Sequence, residues 1–151
     1  MIIFGNRKDK NLDVYEALQK CGIAVELMSG DIPQQKRMRI LEDFRSGKVK
    51  IVIATDVAAR GIHVDNVSLV VNYDLPERSE DYVHRIGRTG RAGQQGKAVS
   101  FICEYGAYYM PDIEKYVGET FKSTLPGEDM VKIPEEFAEA LKSRSSGAKY
   151  N

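Results

Sequence analysis

The sequence predicts an α/β fold built on a mostly parallel central sheet, and three observations point to it. Its apolar runs are short, and they are apolar on consecutive positions rather than alternate ones. They are Ile2-Ile3-Phe4, Ala24-Val25-Glu26-Leu27, Ile51-Val52-Ile53-Ala54, Leu69-Val70-Val71-Asn72 and Ala98-Val99-Ser100-Phe101-Ile102. Such runs mark strands covered on both faces. Helical patterns separate them, and strand–helix–strand alternation means parallel strands joined by right-handed crossovers. Finally, 151 residues with 42% hydrophobic content suit one domain with one sizeable core.

The helices follow in order. Leu12, Tyr15 and Leu18 recur at a helical interval, which predicts an apolar stripe over Leu12 to Leu18. A second helix begins near Pro33, whose fixed φ and missing N–H suit a first turn. Ile40, Leu41 and Phe44 form its stripe, and Gly47 is its stop signal. A third runs from Ser79 to Ile86, acidic at its start and with Arg85 near its end, as the macrodipole favours. After Val117 the character changes: residues 122–151 hold Pro126, Gly127, Pro134 and a Ser-rich end from Ser143 to Gly147. Only Glu135 to Leu141 reads as helical there. The expectation is a domain over 1–121 and an extension over 122–151 that crosses its surface and ends in disorder.

Composition removes several classes. No run approaches the ~18 apolar residues of a membrane span. The N-terminus has neither the basic start nor the cleavage site of a signal peptide. Twenty-two basic and twenty-two acidic side chains cancel, so any case for nucleic acid rests on local clusters. Cys21 and Cys103 lie far apart in the sequence without a CxxC, which excludes a disulfide framework or a zinc module and suits a reducing cytoplasm. Both read as small buried hydrophobes. No metal site is expected.

Three segments carry chemistry. In His84-Arg85-Ile86-Gly87-Arg88-Thr89-Gly90-Arg91-Ala92-Gly93, three arginines fall among three glycines with no acid between them. Guanidinium forks fit phosphate oxygens bidentately, and glycines allow close backbone approach, so Arg88 and Arg91 can share one anion. Taken alone, a solvated basic turn fits as well. Thr55 to Asp65 leaves the C-terminal end of a buried strand, where open α/β sheets place ligands. There Thr55 offers a hydroxyl and Arg60-Gly61 a cation beside a permissive backbone, although a helix cap with an ion pair through Asp56 and Arg60 explains the same residues. In Ser29 to Arg37, Gln34 and Arg37 share a face on the first turns of a helix, a reasonable grip on backbone phosphate or simply a polar face.

Together and in this order, these segments resemble the second RecA-like lobe of a DEAD-box RNA helicase. Ile2-Ile3-Phe4-Gly5-Asn6 is similar to motif IV, Gly30-Asp31 through Arg37 to motif IVa, Thr55 to His63 to motif V, and His84 to Arg91 to motif VI. The resemblance covers roughly residues 1–120, and related helicase groups typically begin motif VI with Gln rather than His. It implies a RecA-like three-layer sandwich. It also implies that Arg88 and Arg91 reach the γ-phosphate of ATP, with Arg91 as the arginine finger, a role worth about 10³–10⁵ in rate in other nucleotidases. His84 would couple the two lobes. Gly30, Gln34, Arg37, Thr55 and Arg60 would line the RNA backbone, which binds RNA without reading its sequence.

The pattern departs from the family in two places. Motif V usually ends Gly-Ile/Leu-Asp, with the aspartate on the ATP ribose, whereas here Gly61-Ile62 is followed by His63. Imidazole can donate or accept, but it is not a carboxylate. Asp65 shares a face with His63 in an extended chain, yet at roughly 3.3 Å per residue it is offset by about 6–7 Å. Gly61, His63 and Asp65 are the expected nucleotide contacts of this segment. The Gly-Ile-His ending with Tyr82-Val83-His84 resembles the bacterial RhlB-like branch. The second departure is Arg7, which stands where a small threonine is common and either adds an RNA contact or is solvated.

No Gly-x-x-x-x-Gly-Lys-[Ser/Thr] loop and no Asp-Glu-Ala-Asp run occur in the sequence. ATP and Mg²⁺ would therefore be held mainly by an N-terminal lobe that this chain lacks, and the chain alone should not hydrolyse ATP. The expected partners are RNA, that lobe and, through the extension, a protein; no membrane is expected. A non-catalytic RNA- or protein-docking module on the same fold is the alternative, and the arginine pair argues against it.

Overall fold

The computed structural model describes residues 1–60, 67–90, 96–132, 135 and 138. Its centre is one sheet of five strands, all parallel: β1 (Ile2–Phe4), β2 (Val25–Met28), β3 (Ile51–Ala54), β4 (Leu69–Asn72) and β5 (Lys97–Ser100), in the order β2-β3-β1-β4-β5. β1 is the middle strand, with Ile2 opposite both Val52 and Val70. The two-residue strand period sends Ile2 and Phe4 into one apolar cluster and Ile3 into another. Both faces are thus buried, and this is why the strands read as unbroken apolar runs. The chain adopts the expected RecA-like α/β fold.

Helix α1 (Lys8–Lys20) packs on one face and α2 (Gln34–Arg45) on the other. On α1 the buried stripe differs from the expected one. Val14, Tyr15 and Leu18 pack against Ile3, Val25 and Ile53, while Leu12 is 43% exposed. The position one residue earlier, Asn11, is buried instead, its side-chain amide donating to the Gly5 carbonyl at 3.3 Å. A helical stripe at 11, 14, 15 and 18 keeps its phase, and one internal hydrogen bond admits the polar residue. Gly5 faces this amide so closely that a Cβ there would fall within bonding range of Asn11 Oδ1. Gly5→Ala should therefore destabilise the fold by about 1–3 kcal/mol, the usual range for overpacking, as measured by urea unfolding.

On α2, Ile40, Leu41 and Phe44 face the core as expected. Pro33 is extended (φ −56°, ψ 143°) and precedes the helix instead of opening it, and Gly47 ends it at φ +76°. The short helix α3 (Asp56–Ala59) follows β3, and α4 spans the expected Ser79–Ile86. α5 (Met110–Val117), preceded by a 3₁₀ turn at Gly106–Tyr108, packs on α4 through Ile113, Tyr82 and Leu75. A last short helix, α6, covers Glu128–Val131.

Three expectations need correction. The last strand stops at Ser100 and is exposed over most of its length, because it is the edge of the sheet with β4 as its one neighbour. Cys103 is exposed and Cys21 half-buried, so neither is a core residue. The extension carries α6 as well, where the sequence predicts a helix only over Glu135 to Leu141; between Phe121, which stacks on Tyr82 at 5.4 Å between ring centroids, and α6, the chain is exposed and irregular. The helix expected over Glu135 to Leu141 lies mostly outside the described residues, with Glu135 and Ala138 both helical, and so does the segment from Ser143 to Gly147. No described helix is long and apolar enough to cross a membrane.

Candidate nucleotide and nucleic-acid site

Parallel strands carry all their carboxyl ends to one edge, and the loops there bring distant segments together. The centre of that edge is Arg85, 1% exposed in the last turn of α4. Its guanidinium forks onto Asp56, with Nε on Oδ1 at 2.7 Å and Nη2 on Oδ2 at 2.6 Å. Nη2 also donates to Asn6 Oδ1 at 2.8 Å, and Nη1 donates to the Asp74 carbonyl at 2.7 Å and to Asn72 Oδ1 at 3.3 Å. Its Cζ lies over the Phe4 ring, 5.3 Å from the ring centroid. One buried arginine thus ties the loops after β1, β3 and β4 to α4. A buried cation is tolerated when it is paired and its donors are satisfied, as here. The sequence pattern alone marks Arg85 as a partner of the helix dipole and does not show this junction. A signal was available, because Asp56, Asn6 and Asn72 each follow or end an apolar strand run and so converge on one edge.

The neighbours of Arg85 in chain order point outward. His84 is exposed and Arg88 half-buried. Both line an open cavity of about 410 Å³, together with Arg60, Asp81 and the Asp56–Arg85 pair. Arg60 leans on Asp81 at 3.9 Å with its side chain 65% exposed, which leaves it in reach of solvent. This places Arg60 on the same cavity as Arg88. Cations along an open rim with a buried, paired arginine behind them suit an anionic ligand such as a phosphate chain.

Further along the edge, Thr55 caps α3: its Oγ1 accepts from the Ala58 N–H at 3.3 Å. Arg37 crosses from α2 to donate to the Ala58 carbonyl, and its Nε is buried without a partner. Gln34 is exposed in the first turn of α2, and Gly30 is exposed with open space where a Cβ would stand. Motifs IVa and V are therefore joined through Arg37. Of the expected site residues, Gly61, His63, Asp65 and Arg91 lie outside the described residues.

Around the site, Arg7 is engaged by Asp9, with Nε on Oδ1 at 3.0 Å and Nη2 on Oδ2 at 2.6 Å. This hydrogen bond holds the Asp9 carboxyl below its ordinary range. A carboxylate so depressed favours the fold only above its unfolded pKa, and the contribution is lost as pH falls through the lowered value. An NMR titration should show Asp9 ionising below an unperturbed aspartate, with Arg7→Ala returning it toward the ordinary value. Under α4, burial pushes the Tyr82 phenol up; a hydrogen bond with Ser100 opposes the shift and the charge of Glu119 adds to it. Tyr82 therefore stays neutral at physiological pH. Among the described residues, no cluster of His, Cys, Asp or Glu could hold a metal ion.

Comparison with known proteins agrees with this geometry. Residues 1–93 match the family model of the helicase conserved C-terminal domain. The chain is 53% identical over 119 residues to the ATP-dependent RNA helicase RhlB of Shewanella frigidimarina and 48% identical over 126 residues to that of Pseudomonas syringae pv. tomato. These matches take in 79% and 83% of this chain, which spans only 27% and 32% of those proteins. Among solved structures, the Escherichia coli DEAD-box protein SrmB, bound to the regulator of ribonuclease activity A, superposes with a TM-score of 0.79 at 33% identity. That match covers 88% of this chain and 78% of the SrmB chain. The C-terminal domain of the DEAD-box protein Dbp5 gives 0.77 at 38% identity over 94% of this chain and 81% of its own. On the sheet order, the Arg85 junction and these matches, the chain belongs to the helicase conserved C-terminal domain family, as a C-terminal lobe of the RhlB-like DEAD-box kind.

Proposed function

We propose that the chain is the second lobe of an ATP-dependent RNA helicase, supplying the arginine finger and half of the RNA-binding surface. The observation that carries this reading is the Arg85 junction, which ties motif IV, motif V and motif VI together and leaves His84 and Arg88 on one open cavity. In this reading Arg88 and Arg91 stabilise charge on the transferring phosphoryl group of ATP, and His84 meets the partner lobe. Gly61, His63 and Asp65 lie along the nucleotide. Gly30, Gln34, Arg37, Thr55 and Arg60 hold the RNA backbone.

ATP and Mg²⁺ sit mainly on the N-terminal lobe, since this sequence holds neither a phosphate loop nor an Asp-Glu-Ala-Asp run. Closure of the two lobes bends the RNA and completes the site, and phosphate release reopens it, a gating step of the usual kind. The lobe spans 1–121. Residues 122–151 form an extension open to a protein partner, and the cytoplasm is the proposed compartment. SrmB was solved with a bound protein, which supports a partner role for lobes of this kind.

The test is RNA-stimulated ATP hydrolysis by this chain, alone and joined to a DEAD-box N-terminal lobe. Silence alone and activity when joined support the reading, together with RNA affinity that falls steeply with salt. Silence in a well-folded fusion overturns it in favour of a docking module.

A further inference from the structure

The turn that carries Arg88 and leads into Arg91 is gripped on a side that Arg85 does not reach. Val67, 6% exposed, has its side chain in the main core cluster just before β4. Both of its backbone polar groups are used on that turn. Its N–H donates to the Arg88 carbonyl at 3.1 Å, and its carbonyl accepts the Thr89 hydroxyl. From the opposite direction Gly96, just before β5, closes on the same residues. A Cβ on Gly96 would lie 2.7 Å from the Gly90 Cα, and closer still to the Gly90 nitrogen and Thr89 Oγ1. Gly90 itself holds φ +72°, a conformation that glycine adopts without strain.

We propose that Thr89 and Gly96 are positioning residues that fix the backbone of residues 88–90 and so aim Arg88 at phosphate. Thr89 acts through its hydroxyl bond to Val67, and Gly96 acts by having no side chain. The inference rests on the proposed function, because it needs Arg88 to work on the nucleotide. Its physical basis is the anatomy of the turn. Gly87 and Gly90 bracket Arg88 and Thr89, and glycine leaves its own backbone more freedom than any other residue does. Arg85 secures the helical end, and the core-anchored Val67 secures the other. A fork displaced by about 1 Å from its productive position loses on the order of 100-fold in rate.

The experiment uses this chain joined to a DEAD-box N-terminal lobe. Thr89→Val keeps the shape of the side chain and removes the donor. It should lower kcat for RNA-stimulated ATP hydrolysis by about 10- to 100-fold, while the RNA concentration at half-saturation stays near that of the parent and the unfolding temperature falls by only a few degrees, as the loss of one part-buried hydrogen bond allows. Thr89→Ser restores the hydroxyl and should recover most of that loss, which a merely structural role for threonine would not predict. Gly96→Ala should show the same kcat defect. Parental kcat in Thr89→Val, or equal impairment of the Ser and Val variants, overturns the inference and leaves the proposed function standing. Silence of the unsubstituted fusion overturns the proposed function and this inference with it.

Discussion

Arg91→Ala in the joined two-lobe protein should lower RNA-stimulated ATP hydrolysis by about 10³-fold or more and leave RNA affinity close to that of the parent. The reasoning starts from what a phosphoryl transfer asks of a protein: positioning and stabilisation of charge spread over the transferring oxygens. A guanidinium does this with two parallel donors, and in the proposed function it arrives only when the lobes close. Arg91→Lys should recover little, because an ammonium is a point charge without the planar fork. Arg88→Ala should show a similar kcat defect, since Arg88 lines the open cavity beside His84 and Arg60. Single-turnover hydrolysis beside RNA binding separates the two effects: loss of chemistry with binding retained is the expected pattern. Loss of binding alone would assign these arginines to RNA.

Arg85→Ala, by contrast, acts through the fold. It strands Asp56, Asn6 and Asn72 around a vacated guanidinium at the buried edge of the sheet. Removing one partner of a buried ion pair costs about 3–5 kcal/mol. For a chain of this size, where 1 kcal/mol moves the midpoint by about 2–4 °C, that corresponds to a fall in unfolding temperature on the order of 10 °C. Arg85→Lys keeps the charge but cannot fork onto Asp56 while also reaching Asn6 and the Asp74 carbonyl, so it should recover only part of the loss. Pairing Arg85→Met with Asp56→Leu removes both charges and should be less damaging than Arg85→Ala alone, since replacing a buried pair by apolar groups is often close to neutral. Calorimetry on the parent and these three variants decides it. Equal midpoints for parent and Arg85→Ala would mean that the junction contributes nothing to stability.

The sheet was readable because its strands are buried on both faces. Ile51 to Ala54 and Leu69 to Asn72 coincide with β3 and β4 because no polar alternation interrupts them. The Ser79–Ile86 helix was equally plain, since acids open it and bases close it. β5 was harder: an edge strand is half solvated, and its apolar run continues through Phe101 and Ile102 after the ladder has ended. The start of α1 was missed for another reason. Its buried position is Asn11, and only a hydrogen bond to the Gly5 backbone makes that position a core residue. A hydrophobicity pattern contains no such information.

The site was legible as motifs but not as wiring. The arginines and glycines of His84 to Arg91 announce anion chemistry by type and spacing alone. Which arginine faces inward cannot be seen in spacing, because Arg85, Arg88 and Arg91 recur at the same interval. The acids on the strand ends decide it, with Asp56 turning Arg85 into the core and leaving Arg88 on the cavity. Arg60 shows the same limit: its position on the cavity beside Asp81 depends on how α3 and α4 meet.

The place of β1 in the sheet also has a consequence for synthesis. Ile2, Ile3 and Phe4 leave the ribosome before the other strands of this sheet, yet they belong between β3 and β4, and their partners begin at Val52 and Val70. At translation rates of about 5–20 residues per second, roughly 3–10 s pass before the first of these partners exists. Through that interval this strand, buried at all three residues in the fold, has no native neighbour on either side. Nascent chains of this lobe should therefore be captured by holdase chaperones until β3 has emerged, and a ribosome stalled before Ile51 should hold its chain in a protease-sensitive state.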